Sequence, residues 1–248
     1  MIWGVRQCGV LSGYNALIHG PSRSGKSSAV KFALQSLGCL HLDFDSLEPC
    51  GQCRHCRDRN HIHGNAGWES FAASLDDEEA TTRICYRYTP IDCSRVTESE
   101  LDQLIVGLRA DDGHLKVILL DEAHRLHRKR MDERLLVAMD DYPAIWIAST
   151  AHSAVDADGR DKLDAMFCNR FSFRLETEKP DVAELTVWLA QRCREFGIQV
   201  EKPGTTLKRL AERSGQMPGL ALHVLNRATK SRQQQLTIQM VDEHRFSL

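Results

Sequence analysis

The chain has 248 residues, of which 42% are hydrophobic and 27% charged, a composition typical of a globular protein with one large domain or two smaller ones. Its formal net charge of −2 excludes a global attraction to nucleic acid, so any such binding requires a local basic patch. No apolar run approaches the roughly 20 residues of a membrane span and the first ten residues do not resemble a signal peptide, so we expect a cytoplasmic protein.

Strand-like and helical patterns alternate over about the first 180 residues, which predicts an α/β fold with a parallel sheet. The predicted strands span 14–20, 39–44, 83–92, 116–124 and 144–150, with a last one within 171–180. We expect Pro90 to cut the third strand short. The predicted helices are 27–38 and 97–110, and the second opens with a capping signal of Thr97 and Glu100.

Only helical patterns follow the composition shift near Lys179 and Pro180. They cover 181–197, 205–215, 219–232 and a last segment after Thr237. We therefore predict two domains, the first over residues 1–179 and a helical one over 180–248.

The stretch "GPSRSGKS" over 20–27 fits the P-loop pattern G-x-x-x-x-G-K-[S/T] and lies between a predicted strand and a predicted helix. Backbone N–H groups of such a loop face phosphates. Lys26 is expected to reach the β- and γ-phosphates of ATP, and Ser27 to place its hydroxyl on Mg²⁺. The predicted nucleotide-binding residues are Gly20, Pro21, Ser22, Arg23, Ser24, Gly25, Lys26, Ser27 and Ser28.

A second half of this site is predicted in "VILLDEAH", where a buried strand delivers Asp121 and Glu122 to its carboxyl end. Asp121 would hold the Mg²⁺ shell, and Glu122 would orient and polarise the attacking water. The letters D-E-A-H also occur in helicases, but the chain is too short for the paired motor domains of those enzymes.

The cysteines Cys50, Cys53 and Cys56 are separated by two residues each. An odd total of nine cysteines in a reducing compartment argues against a disulfide framework. A redox pair needs one exposed C-x-x-C near a thioredoxin-like unit, and the third cysteine argues against it. The spacing therefore predicts a structural Zn²⁺ site. The fourth zinc ligand is either another cysteine or a nearby histidine. The candidates are Cys39, His41, His55, His61 and His63.

The order of these motifs, with "IDCS", "IAST" and "NRF" before a helical tail, resembles the ATPase subunits of the bacterial DNA polymerase III clamp loader (gamma/tau and delta-prime type), in the AAA+ superfamily. The resemblance covers about residues 13–248 and lacks that family's collar domain. It implies a P-loop AAA+ domain with an inserted zinc module at about 39–63 and a small C-terminal helical lid. It also implies Cys39 as the fourth zinc ligand, with ten intervening residues where the family has eight.

Two further site residues follow from the resemblance. Thr150 matches the sensor-1 position, which contacts the γ-phosphate or the attacking water; alternatively it is an ordinary strand-end threonine. Arg170 matches an arginine that acts on the ATP of the neighbouring subunit, although Asn169 and Phe171 replace the family's Ser and Cys; alternatively it caps a helix on the surface. The residues at 218–219 are Pro and Gly where the family has its sensor-2 arginine.

The resemblance implies a Mg²⁺-dependent ATPase that works with other AAA+ subunits, in a homo- or hetero-oligomer, on DNA and with a sliding clamp, in replication or repair. The alternatives are an AAA+ regulator or loader for a transposase or helicase, and a non-catalytic structural subunit. The concentrated basic stretch over 124–134 is either a DNA-backbone contact of Arg125, Arg128, Lys129 and Arg130 or a solvated helix face.

Overall fold

The structure of the chain, a computed structural model, describes residues 14–39, 41–43, 45–46, 48–53, 56, 86–109, 115–156, 162–230 and 234–246. It divides into two compact units. The first comprises Met1–Gly20 and Lys26–Glu176, and the second comprises Pro21–Gly25 and Thr177–Leu248. The predicted strand residues 83–85, and His55, His61 and His63, lie outside the described residues.

A five-stranded parallel sheet forms the centre of the first unit, in the spatial order β2-β3-β4-β1-β5. Its strands are β1 Ala16–Gly20, β2 Tyr86–Asp92, β3 Leu115–Asp121, β4 Ala144–Ala151 and β5 Phe173–Glu176. The two central apolar runs, β3 and β4, are buried along almost their whole length, as strands covered on both faces are. The prediction of an α/β fold with a parallel sheet is confirmed.

Helices pack on both faces of this sheet, and the sheet divides the core into two clusters, one on each face. They are α1 Lys26–Gly38, α2 Glu98–Leu108, α3 His124–Arg128, α4 Asp132–Asp141, α5 His152–Asp156 and α6 Ala165–Cys168. The start of α2 is the predicted capping box. The N–H of Glu100 donates to the Thr97 hydroxyl at 3.3 Å, and the N–H of Thr97 donates to the Glu100 carboxylate at 2.8 Å.

Two strand predictions were wrong in detail. The described residues within 39–44 form no strand, because Cys39 and Leu42 are buried against the other cysteines while the Asp43 carboxylate accepts the N–H of Asp45 in a turn. Pro90 does not end β2, which runs on to Asp92. A proline is tolerated there because, among the described residues, β2 lies at the edge of the sheet and pairs with β3 alone.

The second unit is mainly helical around its own apolar core. Its helices are α7 Val182–Glu195, α8 Pro203–Arg213, α9 Pro218–Thr229 and α10 Ile238–Glu243. The prediction of helices alone was incomplete, because two short parallel strands, β6 Gln199–Val200 and β7 Gln235–Leu236, pair with each other. Across the described parts of the chain, every helix is too short or too polar to cross a lipid bilayer.

Asn15 joins two distant segments of the first unit from its buried position before β1. Its side-chain oxygen accepts the N–H of Trp146 at 2.9 Å, and its amide nitrogen donates to the carbonyl of Arg170 at 3.0 Å. One amide therefore satisfies a buried donor of β4 and a partly buried acceptor beyond α6.

We expect Asn15→Ala to lower the free energy of unfolding by about 2–4 kcal/mol, because it leaves the Trp146 N–H and the Arg170 carbonyl without this partner. Urea unfolding of the variant and of the wild type measures the difference. Asn226→Ala, which truncates an exposed asparagine of α9, is the matched control and should change stability by less than about 0.5 kcal/mol. Equal midpoints for Asn15→Ala and the wild type would contradict the bridging role.

Candidate nucleotide site

The loop after β1 places a buried cation at the carboxyl edge of the sheet. Gly20 and Gly25 adopt φ angles of 144° and 102°, which suit glycine, and α1 then begins at Lys26. Lys26 is 7% exposed, and its ammonium donates to the Gly20 carbonyl at 3.0 Å. Burial lowers the pKa of Lys26, while the charges of Glu122 and Asp121 act to raise it. The ammonium thus lies within electrostatic reach of both carboxylates.

The other predicted loop residues form the surface of this turn. Ser22, Arg23 and Ser28 are exposed, and Pro21, Ser24, Gly25 and Ser27 are half-buried. Arg23 has a φ of 62°, a left-handed conformation that is uncommon for a side chain larger than glycine.

Within the second unit, loop residues 21–25 contact the start of α9. The Gly219 N–H donates to the Arg23 carbonyl at 3.2 Å, and the hydroxyls of Ser24 and Thr177 lie 2.7 Å apart. A Cβ at Gly219 would lie 2.9 Å from the Cβ of Arg23, so a larger residue would force a shift there. A main-chain contact therefore occupies the position where the resemblance would place the sensor-2 arginine.

Asp121 is the last residue of β3, and its carboxylate accepts a hydrogen bond from the hydroxyl of Ser149 on β4. The same hydroxyl oxygen accepts the N–H of Glu122 at 3.4 Å. Ser149 is completely buried, so the carboxylate is held from one side by a fixed donor. Its position suits a ligand of a Mg²⁺ shell, as predicted from the strand pattern.

Glu122 follows with a φ of 56°, in the left-handed region. The turn is fixed on both sides, because Ala123 N–H donates to the Ser149 carbonyl at 2.8 Å and Arg125 N–H donates to the Glu122 carbonyl at 2.9 Å. The Glu122 side chain is 39% exposed. Strained backbone of this kind is common where a side chain must be aimed at a ligand.

Thr150 is completely buried near the end of β4, and the Nδ1 of His124 lies 3.0 Å from its hydroxyl oxygen. The Nε2 of the same ring lies 3.5 Å from the Glu122 carboxylate. Thr150 is therefore connected through one imidazole to Glu122.

Arg170, in contrast, is engaged within its own chain. Its guanidinium forms a bidentate ion pair with Asp140, at 3.2 Å from Nε and 2.7 Å from Nη2, and Nη1 donates to the Met166 carbonyl at 3.0 Å. The side chain is 24% exposed. The Asp140 hydrogen bonds raise the pKa of Arg170, and those from Arg170 lower the pKa of Asp140.

The four cysteines at 39, 50, 53 and 56 converge after α1. Their sulfur atoms all lie within 4.8 Å of one another, and those of Cys50 and Cys56 are 4.0 Å apart. A tetrahedral Zn²⁺ with Zn–S bonds of about 2.3 Å needs sulfurs about 3.8 Å apart, so this donor set fits the ion after small side-chain adjustments. Cys39 thus joins the three closely spaced cysteines in this group.

Backbone donors already act on these sulfurs. The N–H of Cys50 points at the sulfur of Cys39, and the N–H of Cys53 at that of Cys50, each at 3.3 Å. The Cys53 N–H bond lowers the pKa of Cys50 to about 6, while burial raises the pKa of Cys39 and of Cys56. Elsewhere among the described residues, Cys93, Cys168 and Cys193 are buried free thiols, as expected.

The basic stretch is only partly available for a ligand. The Lys129 ammonium donates to the carbonyls of Ser94 and Val96, at 3.0 and 2.9 Å, so this lysine ties α3 to the turn after β2. Arg128 and Arg130 are exposed and Arg125 is half-buried. The DNA contact of this stretch remains a prediction.

Sequence reasoning missed Ser149 and His124. Each had a signal: Ser149 is the first of two successive polar residues in a buried strand, and His124 directly follows the two carboxylates and Ala123 in "DEAH". Their partners lie 26 to 28 positions away, which single-sequence periodicity does not reveal.

A protein-family model described as "ATPase family associated with various cellular activities (AAA)" matches residues 16–179. No curated protein sequence matches the chain significantly.

Solved structures of two proteins share the fold. The RuvB Holliday junction branch migration motor of Thermotoga maritima is 17% identical with a TM-score of 0.57, and the match covers 98% of this chain and 64% of RuvB. The AAA domain of FIGL-1 in complex with ADP is 14% identical with a TM-score of 0.55, covering 98% of this chain and 76% of that one. The chain thus spans less than two thirds of the RuvB chain, and at these identities the similarity describes the fold alone.

Proposed function

The chain belongs to the AAA family of ATPases, and we propose that it is one of clamp-loader type, hydrolysing Mg-ATP in a cytoplasmic oligomeric assembly on DNA. The observation that supports the chemistry is the meeting of a buried Lys26 with Asp121 and Glu122 at one edge of the sheet. This is the set of charges that phosphoryl transfer requires from a P-loop protein.

Each residue then has a distinct task. Lys26 pairs with the β- and γ-phosphates, exchanging the Gly20 carbonyl for phosphate oxygens. Ser27 and Asp121 would hold Mg²⁺, which would supply positive charge to neutralise the phosphates. Glu122 orients and deprotonates the attacking water, and Thr150 places its hydroxyl near that water or the γ-phosphate.

We expect Lys26→Ala to weaken ATP binding by about 10- to 100-fold, since it removes a charged hydrogen-bond donor from the phosphates. Glu122→Gln should retain ATP affinity and lose about 10²- to 10⁴-fold in kcat, as expected for removal of a general base. Titration with a fluorescent ATP analogue and steady-state phosphate release measure the two effects.

Glu133→Gln, at an exposed position of α4, is the matched control for the charge change and should leave both quantities unchanged. Wild-type turnover by Glu122→Gln would contradict the assignment of the base.

The four-cysteine cluster is the observation that favours the clamp-loader type over other AAA proteins. It follows α1 directly, where the resemblance places a zinc module. A segment of about 20 residues cannot bury a core of its own, and a structural Zn²⁺ contributes an apparent binding free energy of about 10–16 kcal/mol in its place. The role of the cluster is then structural, apart from hydrolysis.

Elemental analysis of the purified protein should find about one zinc per chain, and Cys53→Ser combined with Cys56→Ser should abolish it because two thiolates cannot hold a structural site. Cys193→Ser changes a buried thiol of the second unit and should retain the metal. Folded protein with no bound metal and four titratable thiols in the cluster would refute the site.

Arg170 is proposed to act on the nucleotide of a neighbouring subunit. To do so it must exchange the Asp140 carboxylate for phosphate oxygens, which offer the same bidentate geometry. In an isolated chain the guanidinium remains with Asp140. Hydrolysis would then depend on assembly, and an arginine supplied in this way contributes about 10³- to 10⁵-fold in rate.

Specific activity should therefore rise with protein concentration or on addition of a partner subunit. Arg170→Ala should bind ATP normally and lose turnover, and mixing it with Lys26→Ala should restore part of the activity because each chain supplies what the other lacks. Arg194→Ala, an exposed arginine of α7, is the control. Normal hydrolysis by Arg170→Ala in every assembly tested would overturn the assignment.

The response of the protein to DNA, a sliding clamp and ATP distinguishes the clamp-loader type from the two alternative functions. Stimulation by a sliding clamp together with primed DNA supports the clamp-loader type. ATP-dependent filaments on duplex DNA would instead support a regulator of a transposase or helicase. Absence of ATP binding would support a structural subunit.

A further inference from the structure

A single buried imidazole contacts both residues to which we assign the final step of hydrolysis. His124 is 6% exposed, its Nδ1 lies 3.0 Å from the Thr150 hydroxyl oxygen, and its Nε2 lies 3.5 Å from the Glu122 carboxylate. It is the second residue after Glu122 and the first residue of α3, so the turn that aims the carboxylate also places the ring.

We propose that His124 is a positioning residue for ATP hydrolysis, which holds the Glu122 carboxylate and the Thr150 hydroxyl in one hydrogen-bonded network. The inference rests on the proposed functions of Glu122 and Thr150 and adds a third member to that site.

The two contacts determine the direction of the hydrogen bonds in the neutral ring. An ionised carboxylate only accepts, so the nitrogen that faces Glu122 carries the ring hydrogen. Nδ1 then has only its lone pair, and the Thr150 hydroxyl donates its proton to it. A threonine whose proton is used in this way offers only lone pairs to a ligand. Thr150 would therefore accept a hydrogen bond from the attacking water, as Glu122 does.

The geometry also explains why the carboxylate needs such a partner. The backbone of Glu122 is fixed by its neighbours' hydrogen bonds, whereas its side chain is 39% exposed, and solvent does not select one rotamer. At 3.5 Å the His124 contact is longer than a hydrogen bond of 2.7–3.2 Å, and catalytic contacts of this kind tighten once the substrate is bound. His124 would limit the rotation to the positions that face the water.

Two conservative substitutions separate the two contacts. In His124→Asn the side-chain amide occupies the place of Nδ1, so the Thr150 contact is kept and the Glu122 contact is lost. In His124→Gln the amide reaches the place of Nε2, so the Glu122 contact is kept and the Thr150 contact is lost. Both fill most of the ring's space, which guards against the collapse that His124→Ala can cause.

We expect His124→Asn to lower kcat about 10- to 100-fold with ATP affinity within two-fold of the wild type, and His124→Gln to lower it less. His127→Asn is the matched control. It truncates a histidine of the same helix whose ring bonds to Asp132 at 2.7 Å, and it should leave kcat unchanged. All variants are compared with Mg-ATP at the protein concentration, and with the partners, that give full wild-type activity.

Three results would overturn the proposal. The first is a wild-type kcat in both His124 variants. The second is an increase in kcat, which would mean that the histidine holds Glu122 away from the water. The third is a loss of ATP affinity as large as the loss of kcat. Glu122→Gln, measured in parallel, distinguishes a failure of this inference from a failure of the proposed function. If it is inactive and the His124 variants are normal, only this inference fails; if it hydrolyses ATP at the wild-type rate, the proposed base fails and this inference with it.

Discussion

The parallel pairing of β1, β3 and β4 is the constraint on which the candidate site depends. In this register Gly20 pairs with Ala151, and Leu120 pairs with Ala148, so three strands end at the same edge. The P-loop begins at the end of β1, the two carboxylates lie at the end of β3, and the polar residues of β4 lie near its own end, so all of them reach this edge. A shift of one residue in either pair would turn the strand's alternating side chains to the opposite face. Backbone hydrogen bonds between strands therefore determine which charges meet.

The cysteine cluster obeys a different constraint. Its sulfurs are brought together by turns rather than by strands, and Cys50 and Cys53 contribute N–H groups to the sulfurs of their neighbours. Among the described residues, Leu42 is the apolar side chain buried with these cysteines, so a metal ion that binds all four thiols would contribute more than burial does. The cysteines form a cluster separate from the two cores of the sheet, in keeping with the proposal of a structural module.

The sequence was sufficient to predict the parallel sheet, the P-loop and the position of Asp121 and Glu122, since these depend on runs of neighbouring residues. It was misleading at 39–44, where an alternating pattern predicts a strand but Cys39 and Leu42 are buried with the other cysteines instead. It gave no indication of the contact between His124 and Thr150. Such contacts depend on which strands become neighbours, and that is decided by the whole sheet. The functional assignments of Lys26 and the other site residues remain predictions.

Pro90 has a consequence for how this protein behaves among other chains. An open parallel sheet exposes backbone donors and acceptors along its outer strands, and these can recruit a strand from another molecule. On β2, Pro90 lacks an N–H, which removes one donor from such a ladder. On β5, the opposite edge, Arg174 and Glu176 are exposed and place charges beside the backbone. Both outer strands of the described sheet thus carry features that oppose fibrous aggregation, which is valuable in a protein proposed to assemble with other chains.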